Sequence, residues 1–169
     1  MKEVRSWQLY DWKSFNHNEV VRLLKRIIKT NFGLPIIPFD SEIKKEAEIA
    51  TKYKLRGSRS YVAHTPDIII QTGNKPEDRI FIEYINTEGK NDSQFLFDMR
   101  GMIALSRLVK ARCFIVAIRH SIFPKYFVTE LPVSSYVVVM SLKSLLSALD
   151  KREFGDLCDE DVRKKHLLC

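Results

Sequence analysis

The sequence predicts an α/β fold, a mixed central β-sheet flanked by helices, in a single domain spanning residues 1–169. Three observations carry that prediction. Two short β-branched apolar runs, Ile68 to Ile70 and Ile80 to Ile82, are separated by a polar turn, Thr72 to Asp78, and read as two antiparallel strands. An amphipathic segment follows from Asp92 to Ala111, with Phe95, Met99, Met102, Leu105 and Val109 on a broad apolar face suited to packing on a sheet. A third apolar run, Phe114 to Ile118, comes after it, and strands joined by such a helical crossover run parallel.

Length and composition set the limits. A chain of 169 residues with 45% hydrophobic content can bury one proper core and is short for two. No run reaches the length of an uncharged membrane span, and the Met-Lys-Glu-Val-Arg start lacks the apolar centre of a signal peptide, so a soluble, cytoplasmic protein with no membrane partner is expected. Cys113, Cys158 and Cys169 have no paired metal spacing, and their odd number argues against a disulfide framework. Gly57, Gly73, Gly89 and Gly101 are scattered and make no phosphate-cradling loop, which weakens a small-ligand α/β reading.

The remaining elements follow in order. Met1 to Phe15 is an aromatic-rich arm without periodicity. Asn16-His17-Asn18-Glu19 resembles a capping box, and Val20, Val21, Leu24, Ile27 and Ile28 then recur at helical spacing until Gly33 and Pro35 end the helix. Leu34 to Phe39 is a short extended segment, Ser41 to Tyr53 has helical propensity, and Gly57 to Ser60 is a basic loop. Beyond the core stretch lie a loop from Arg119 to Pro132, a strand from Tyr136 to Met140, and a short helix capped by Ser141. A charged tail runs from Lys151, with a last helix expected from Asp159.

The chemistry concentrates at two carboxylates. Asp67 opens the first apolar run and Glu83, sixteen residues later, ends the second, so a hairpin would set them side by side. Such a pair suits Mg²⁺, which takes oxygen ligands, keeps several waters and is held by one or two carboxylates plus substrate phosphate. A metal there would polarise a phosphodiester and acidify the attacking water. The backbone carbonyl of Tyr84 is the third candidate ligand, while the Tyr84 side chain alternates away from Glu83 into packing. Net charge of +7 points to a polyanionic partner, and Lys44, Lys45, Lys52, Lys54, Arg56 and Arg59 lead directly into Asp67. For Lys44 to Glu48 a solvated helix face, with Glu42, Glu46 and Glu48 as counter-charges, explains the pattern equally well.

Pro66-Asp67, then Glu83 at the end of an apolar strand, then an amphipathic helix carrying Gln94, resembles the PD-(D/E)XK nuclease superfamily over about Glu19 to Ile118. Within it the chain looks most like the catalytic domains or small subunits of type IIS restriction endonucleases. The resemblance implies a restriction-endonuclease-like sheet, Mg²⁺ with Mn²⁺ as the alternative ion, and hydrolysis of DNA, with RNA as a second substrate class. It also implies a partner subunit or a homodimer. Asp67 and Glu83 would be catalytic metal ligands, Glu19 would match an upstream helical glutamate aimed at the metal, and Lys52, Lys54, Arg56, Arg59 and His64 would contact phosphates. One departure is plain: the family places lysine two residues after the glutamate, and Ile85 stands there. Lys90, favoured because it stays near the strand end, or Arg100 inside the helix would then supply the migrated charge. Asn86 and Gln94 could instead orient a water, and His120 lies at a later strand end. Each has a bland alternative: a cap for Glu19, a turn residue for Lys90, a solvated helix face for Arg100, a loop residue for His64. The competing functional class is a catalytically silent nucleic-acid-binding module or partner subunit that keeps the fold without the lysine.

Overall fold

The computed structural model describes residues 7, 10–40, 42–46, 65–86, 101–106, 108–118 and 137–152. The elements in chain order are α1 (His17–Arg26), a π turn (Ile27–Asn31), β1 (Ile36–Ile37), α2 (42–46), β2 (Ile68–Gln71), β3 (Arg79–Ile85), α3 (101–106), β4 (Cys113–Ile118), β5 (Val137–Ser141) and α4 (Leu142–Lys151). Five strands form one mixed sheet in the order β1-β2-β3-β4-β5. The first two pairings are antiparallel and the last two parallel, so the expected hairpin and the expected parallel return of the third run are both present.

Helices cover both faces of this sheet, which explains why β3 and β4 read as nearly unbroken apolar runs rather than as alternating ones. One face carries Ile68, Ile70, Ile80, Ile82, Tyr84, Ile115 and Met140 against α1 and α4. The opposite face carries Ile69, Phe81, Ile85, Phe114 and Val116 against Ile43 of α2 and Met102 and Leu105 of α3. Phe81 and Phe114, neighbours across the β3–β4 pair, stack with ring centroids 5.0 Å apart. Each such fully buried large side chain contributes roughly 1.5–3 kcal/mol relative to exposure, so the two faces are the main source of stability.

Local signals set the element ends. Asn16 caps α1: its side-chain oxygen accepts from the Glu19 amide at 2.9 Å, and its amide nitrogen donates to Glu19 Oε1 at 2.8 Å. Val20 and Leu24 of α1 are buried while Arg22, Lys25 and Arg26 are exposed. The helix then widens, with the Phe32 amide donating to the Ile27 carbonyl, before Gly33 at φ 64° reverses the chain. The sequence periodicity, which continues through Ile27 and Ile28, does not show this widening. Arg152, itself left-handed at φ 55°, donates to the Phe32 carbonyl at 2.9 Å and so ties the end of α4 to the end of the π turn. Asp40 caps α2, accepting from the Ile43 amide at 3.0 Å, and Ser141 caps α4, accepting from the Ser144 amide at 3.1 Å. Of the N-terminal arm, Trp7 is buried and meets Phe32 edge-on at 6.3 Å.

Glu46, read from the sequence as a counter-charge on a solvated face, has a structural role instead. Its carboxylate accepts from the Lys110 amide at 2.9 Å and from Arg79 Nη1 at 3.3 Å, which joins α2 to the start of β3 and to the turn before β4. No helix among the described residues is long and apolar enough to cross a membrane. The expected loop from Arg119 to Pro132 and the tail helix from Asp159 lie outside the described residues.

Candidate metal and phosphodiester site

The site is built where the β2–β3 ladder runs out. The last paired residues are Ile68 and Ile82, and continuing the same register would set Asp67 opposite Glu83 and Pro66 opposite Tyr84. The Thr72 amide donates to the Asp78 carbonyl, which identifies the even-numbered residues of β2 as those that exchange backbone bonds with β3. The Gln71 amide turns the other way, to the Pro35 carbonyl beside β1, as the alternation requires. Pro66 is the next member of the even series and has no N–H to offer. The carbonyl of Tyr84 therefore needs another donor.

Two side chains take over from the backbone at that point. The Tyr84 amide donates to Asp67 Oδ2 at 2.8 Å, and the Tyr84 carbonyl oxygen lies 3.1 Å from His17 Nε2. His17 Nε2 is also 3.3 Å from Asp67 Oδ2. A backbone carbonyl can only accept, so the contact with Tyr84 requires the proton on Nε2. Nδ1 of the same ring faces Asn18 Oδ1 at 3.4 Å. The imidazole also leans on the Tyr84 ring, at 5.6 Å between centroids and 36° between planes. His17 is the first residue of α1, so the capping of that helix by Asn16 fixes where the imidazole begins.

Glu83 projects to the opposite face from Tyr84, among Phe81 and Ile85, and is 8% exposed, the one buried charged side chain of the described residues. Ile85, where the resemblance calls for lysine, is fully buried in that same face. Its environment is a packed apolar cluster with no room for a solvated ammonium. Asn86 follows immediately beyond β3 and is half-buried. Glu19 is exposed and held in the capping box with Asn16, so its bland alternative is realised in full.

The structure thus brings Asp67, the Tyr84 backbone and His17 into one contact set, with Glu83 at the same end of the strand pair but with its side chain on the opposite face from Tyr84. His17 was not among the residues the sequence singled out, because its neighbours Asn16 and Glu19 explained the local pattern as a cap. The only trace it leaves in the sequence is indirect: proline at the end of a strand implies an orphaned carbonyl opposite, without saying what fills it. Among the described residues, no three His, Cys, Asp or Glu side chains gather closely enough to hold a metal by themselves. Lys52, Lys54, Arg56, Arg59, His64, Lys90, Gln94, Arg100 and His120 lie outside the described residues.

What this arrangement can do follows from its donor set. Asp67 and the Tyr84 carbonyl present two oxygens within reach of one nitrogen, Nε2 of His17, at the edge of the sheet. Mg²⁺ needs few protein oxygens, since waters and substrate phosphate complete its shell, and a carboxylate and a carbonyl are ligands of the type it takes. Comparisons with protein-family models, with curated proteins and with solved structures found no match to this chain.

Proposed function

We propose that this chain has a restriction-endonuclease-like fold and is a Mg²⁺-dependent endonuclease that hydrolyses DNA phosphodiester bonds through Asp67 and Glu83. The observation that carries the proposal is the register. The register ends at Ile68 opposite Ile82, so Asp67 and Glu83 are the next residues of the two strands at the same end of the antiparallel pair, a placement that would let both carboxylates serve one ion. The order of elements supports it too, with a helix before three antiparallel strands and a helical segment before the parallel return.

In this reading Asp67, Glu83 and the Tyr84 carbonyl hold the divalent ion, which when bound polarises the phosphodiester and acidifies a water. The chain's own contribution is positioning. The Tyr84 amide holds Oδ2 of Asp67, and Oδ1 would be the oxygen offered to the ion. His17 holds the other side of the same oxygen and the Tyr84 carbonyl, so the donor set is aligned before substrate arrives. Glu83, nearly out of solvent, is held in an environment that raises the strength of any charge contact it makes. Lys90 is the proposed source of the charge that Ile85 cannot supply, and the basic residues Lys52, Lys54, Arg56 and Arg59 are the proposed phosphate contacts.

A second reading has a specific observation behind it. Ile85 is fully buried, and Asp67 already accepts from a backbone amide, so a catalytically silent nucleic-acid-binding module or partner subunit would show the same corner. Nicking and linearisation of supercoiled plasmid with Mg²⁺ or Mn²⁺ decides between them. Cleavage that is lost in Asp67→Asn supports the endonuclease. No cleavage with either ion, alone or with a partner subunit, supports the silent module.

A further inference from the structure

Beside the first turns of α1 is a groove of about 320 Å³ lined by Tyr10, Phe15, Glu19, Arg22, Leu23 and Arg26. Its aromatic wall is pre-set: Tyr10 meets Trp12 edge-on at 5.8 Å, and Trp12 meets Phe15 edge-on at 6.4 Å. Tyr10, 38% exposed, is the one large apolar side chain left in solvent among the described residues. Arg22 and Arg26 are exposed, and Lys25 and Lys29 carry the same positive stripe past the groove. Among the described residues none of these four cations makes an ion pair, whereas Arg79, Lys110 and Arg112 all do.

We infer that this groove binds single-stranded nucleic acid, with a base against Tyr10 and Phe15 and successive phosphates on Arg22, Arg26 and the lysines beyond them. Aromatic faces joined to a cationic track are what sequence-tolerant strand binding requires, because every base has a π face and every nucleotide a charge. A base seated in the groove must be unstacked, which a duplex does not offer. The stripe continues past the groove to Lys29, which calls for several phosphates and so for a strand rather than a mononucleotide. Glu19 in the lining opposes a phosphate but suits a base with an exocyclic amino group, since carboxylates accept from the cytosine amino edge. The inference rests on the nucleic-acid reading above but not on cleavage.

The test is fluorescence anisotropy of the full chain with short labelled oligo(dC), oligo(dT) and a duplex of equal length, in the absence of divalent metal. Oligo(dC) is expected to bind most tightly. Tyr10→Ala should weaken it by about tenfold, within the range one stacked base contributes. Arg22→Ala with Arg26→Ala should lower the slope of log affinity against log salt by about 1.4, as two lost single-strand phosphate contacts predict. Near-UV circular dichroism of each variant confirms folding, which these solvent-facing changes leave intact. An unchanged affinity in Tyr10→Ala, an unchanged salt slope in the arginine double variant, or a duplex or oligo(dT) bound as tightly as oligo(dC) overturns the inference. A protein that cleaves plasmid yet gives those results keeps the endonuclease reading and loses this one; one that never cleaves but binds as expected does the reverse.

Discussion

Asp67 stands in for a strand partner of Tyr84 beyond the last β2–β3 pair, Ile68 with Ile82, and both backbone groups of Tyr84 turn to side chains. Asp67 accepts from the Tyr84 amide at 2.8 Å, and His17 reaches the Tyr84 carbonyl at 3.1 Å. Pro66 has no N–H to offer the Tyr84 carbonyl, so the contacts of Asp67 and His17 close the sheet edge, and in the proposed reading they also align the site. Separating those two roles needs substitutions chosen for what they leave behind.

Asp67→Asn and Asp67→Ala should differ in stability and agree in activity. Asparagine keeps an oxygen that can accept from the Tyr84 amide, whereas alanine leaves a part-buried N–H without its partner, at a cost of about 1–3 kcal/mol. Urea denaturation should show that gap, with the asparagine variant close to the unmodified protein. Both should fail to nick plasmid if the carboxylate holds the metal. An asparagine variant that still cuts removes Asp67 from catalysis.

His17 gives a second pair. His17→Gln retains a donor that can reach the Tyr84 carbonyl, and His17→Ala does not, so alanine should cost about 1 kcal/mol more, the net value of one hydrogen bond. If His17 aligns the site, the alanine variant should also lose cleavage rate, and glutamine should recover part of it. Equal rates in both variants, with only stability separating them, would confine His17 to closing the end of the sheet.

The outline of this site was legible because strands and their order are written in local patterns. Ile68 to Ile70, Ile80 to Ile82 and Phe114 to Ile118 are short apolar runs, and the polar turn between the first two brings Asp67 and Glu83 to the same end of the pair. The Asn16 and Ser141 caps were equally local. His17 was not legible, because its partners, Asp67 and Tyr84, lie 50 and 67 residues further along the sequence and are approached only after α1 docks on the sheet. Glu46 escaped for the same reason: a carboxylate on a charged helix looks solvated until Arg79 and the Lys110 amide are brought to it. The π turn at Ile27–Asn31 keeps an apolar pattern that an α-helix would also show.

The polar turn itself supports a prediction. Asp78 accepts from the Lys75 amide at 3.1 Å and pairs with Arg112 at 3.3 Å, and its carboxylate occupies the place a Cβ on Gly73 would need. Gly73→Ala must therefore displace Asp78 and loosen both contacts, with destabilisation of about 1–3 kcal/mol typical of forced overpacking. Thermal unfolding should show it, while Gly33→Ala suffers through its left-handed backbone instead, since its Cβ would meet only ordinary contact with Arg152.

The missing lysine is the sharpest test of the enzyme reading. Restoring the family pattern with Ile85→Lys should not create a better nuclease. Ile85 is fully buried in the cluster of Phe81 and Met102, and an ammonium placed there loses its hydration, while the acid on that face, Glu83, is the one proposed to hold the metal. That variant should be destabilised by several kcal/mol, as an unpaired buried charge is. Lys90→Ala should instead leave stability and DNA affinity nearly intact and lower the cleavage rate, because a charge that stabilises only the transition state lowers the barrier without tightening the ground state. Arg100→Ala is the competing variant, and the two are compared by single-turnover cleavage at saturating protein. Normal cutting by Lys90→Ala beside a dead Arg100→Ala moves the compensating charge into the helix. Normal cutting by both leaves the water to Asn86 or Gln94, and the lysine position would then have been replaced by a neutral amide rather than by another cation.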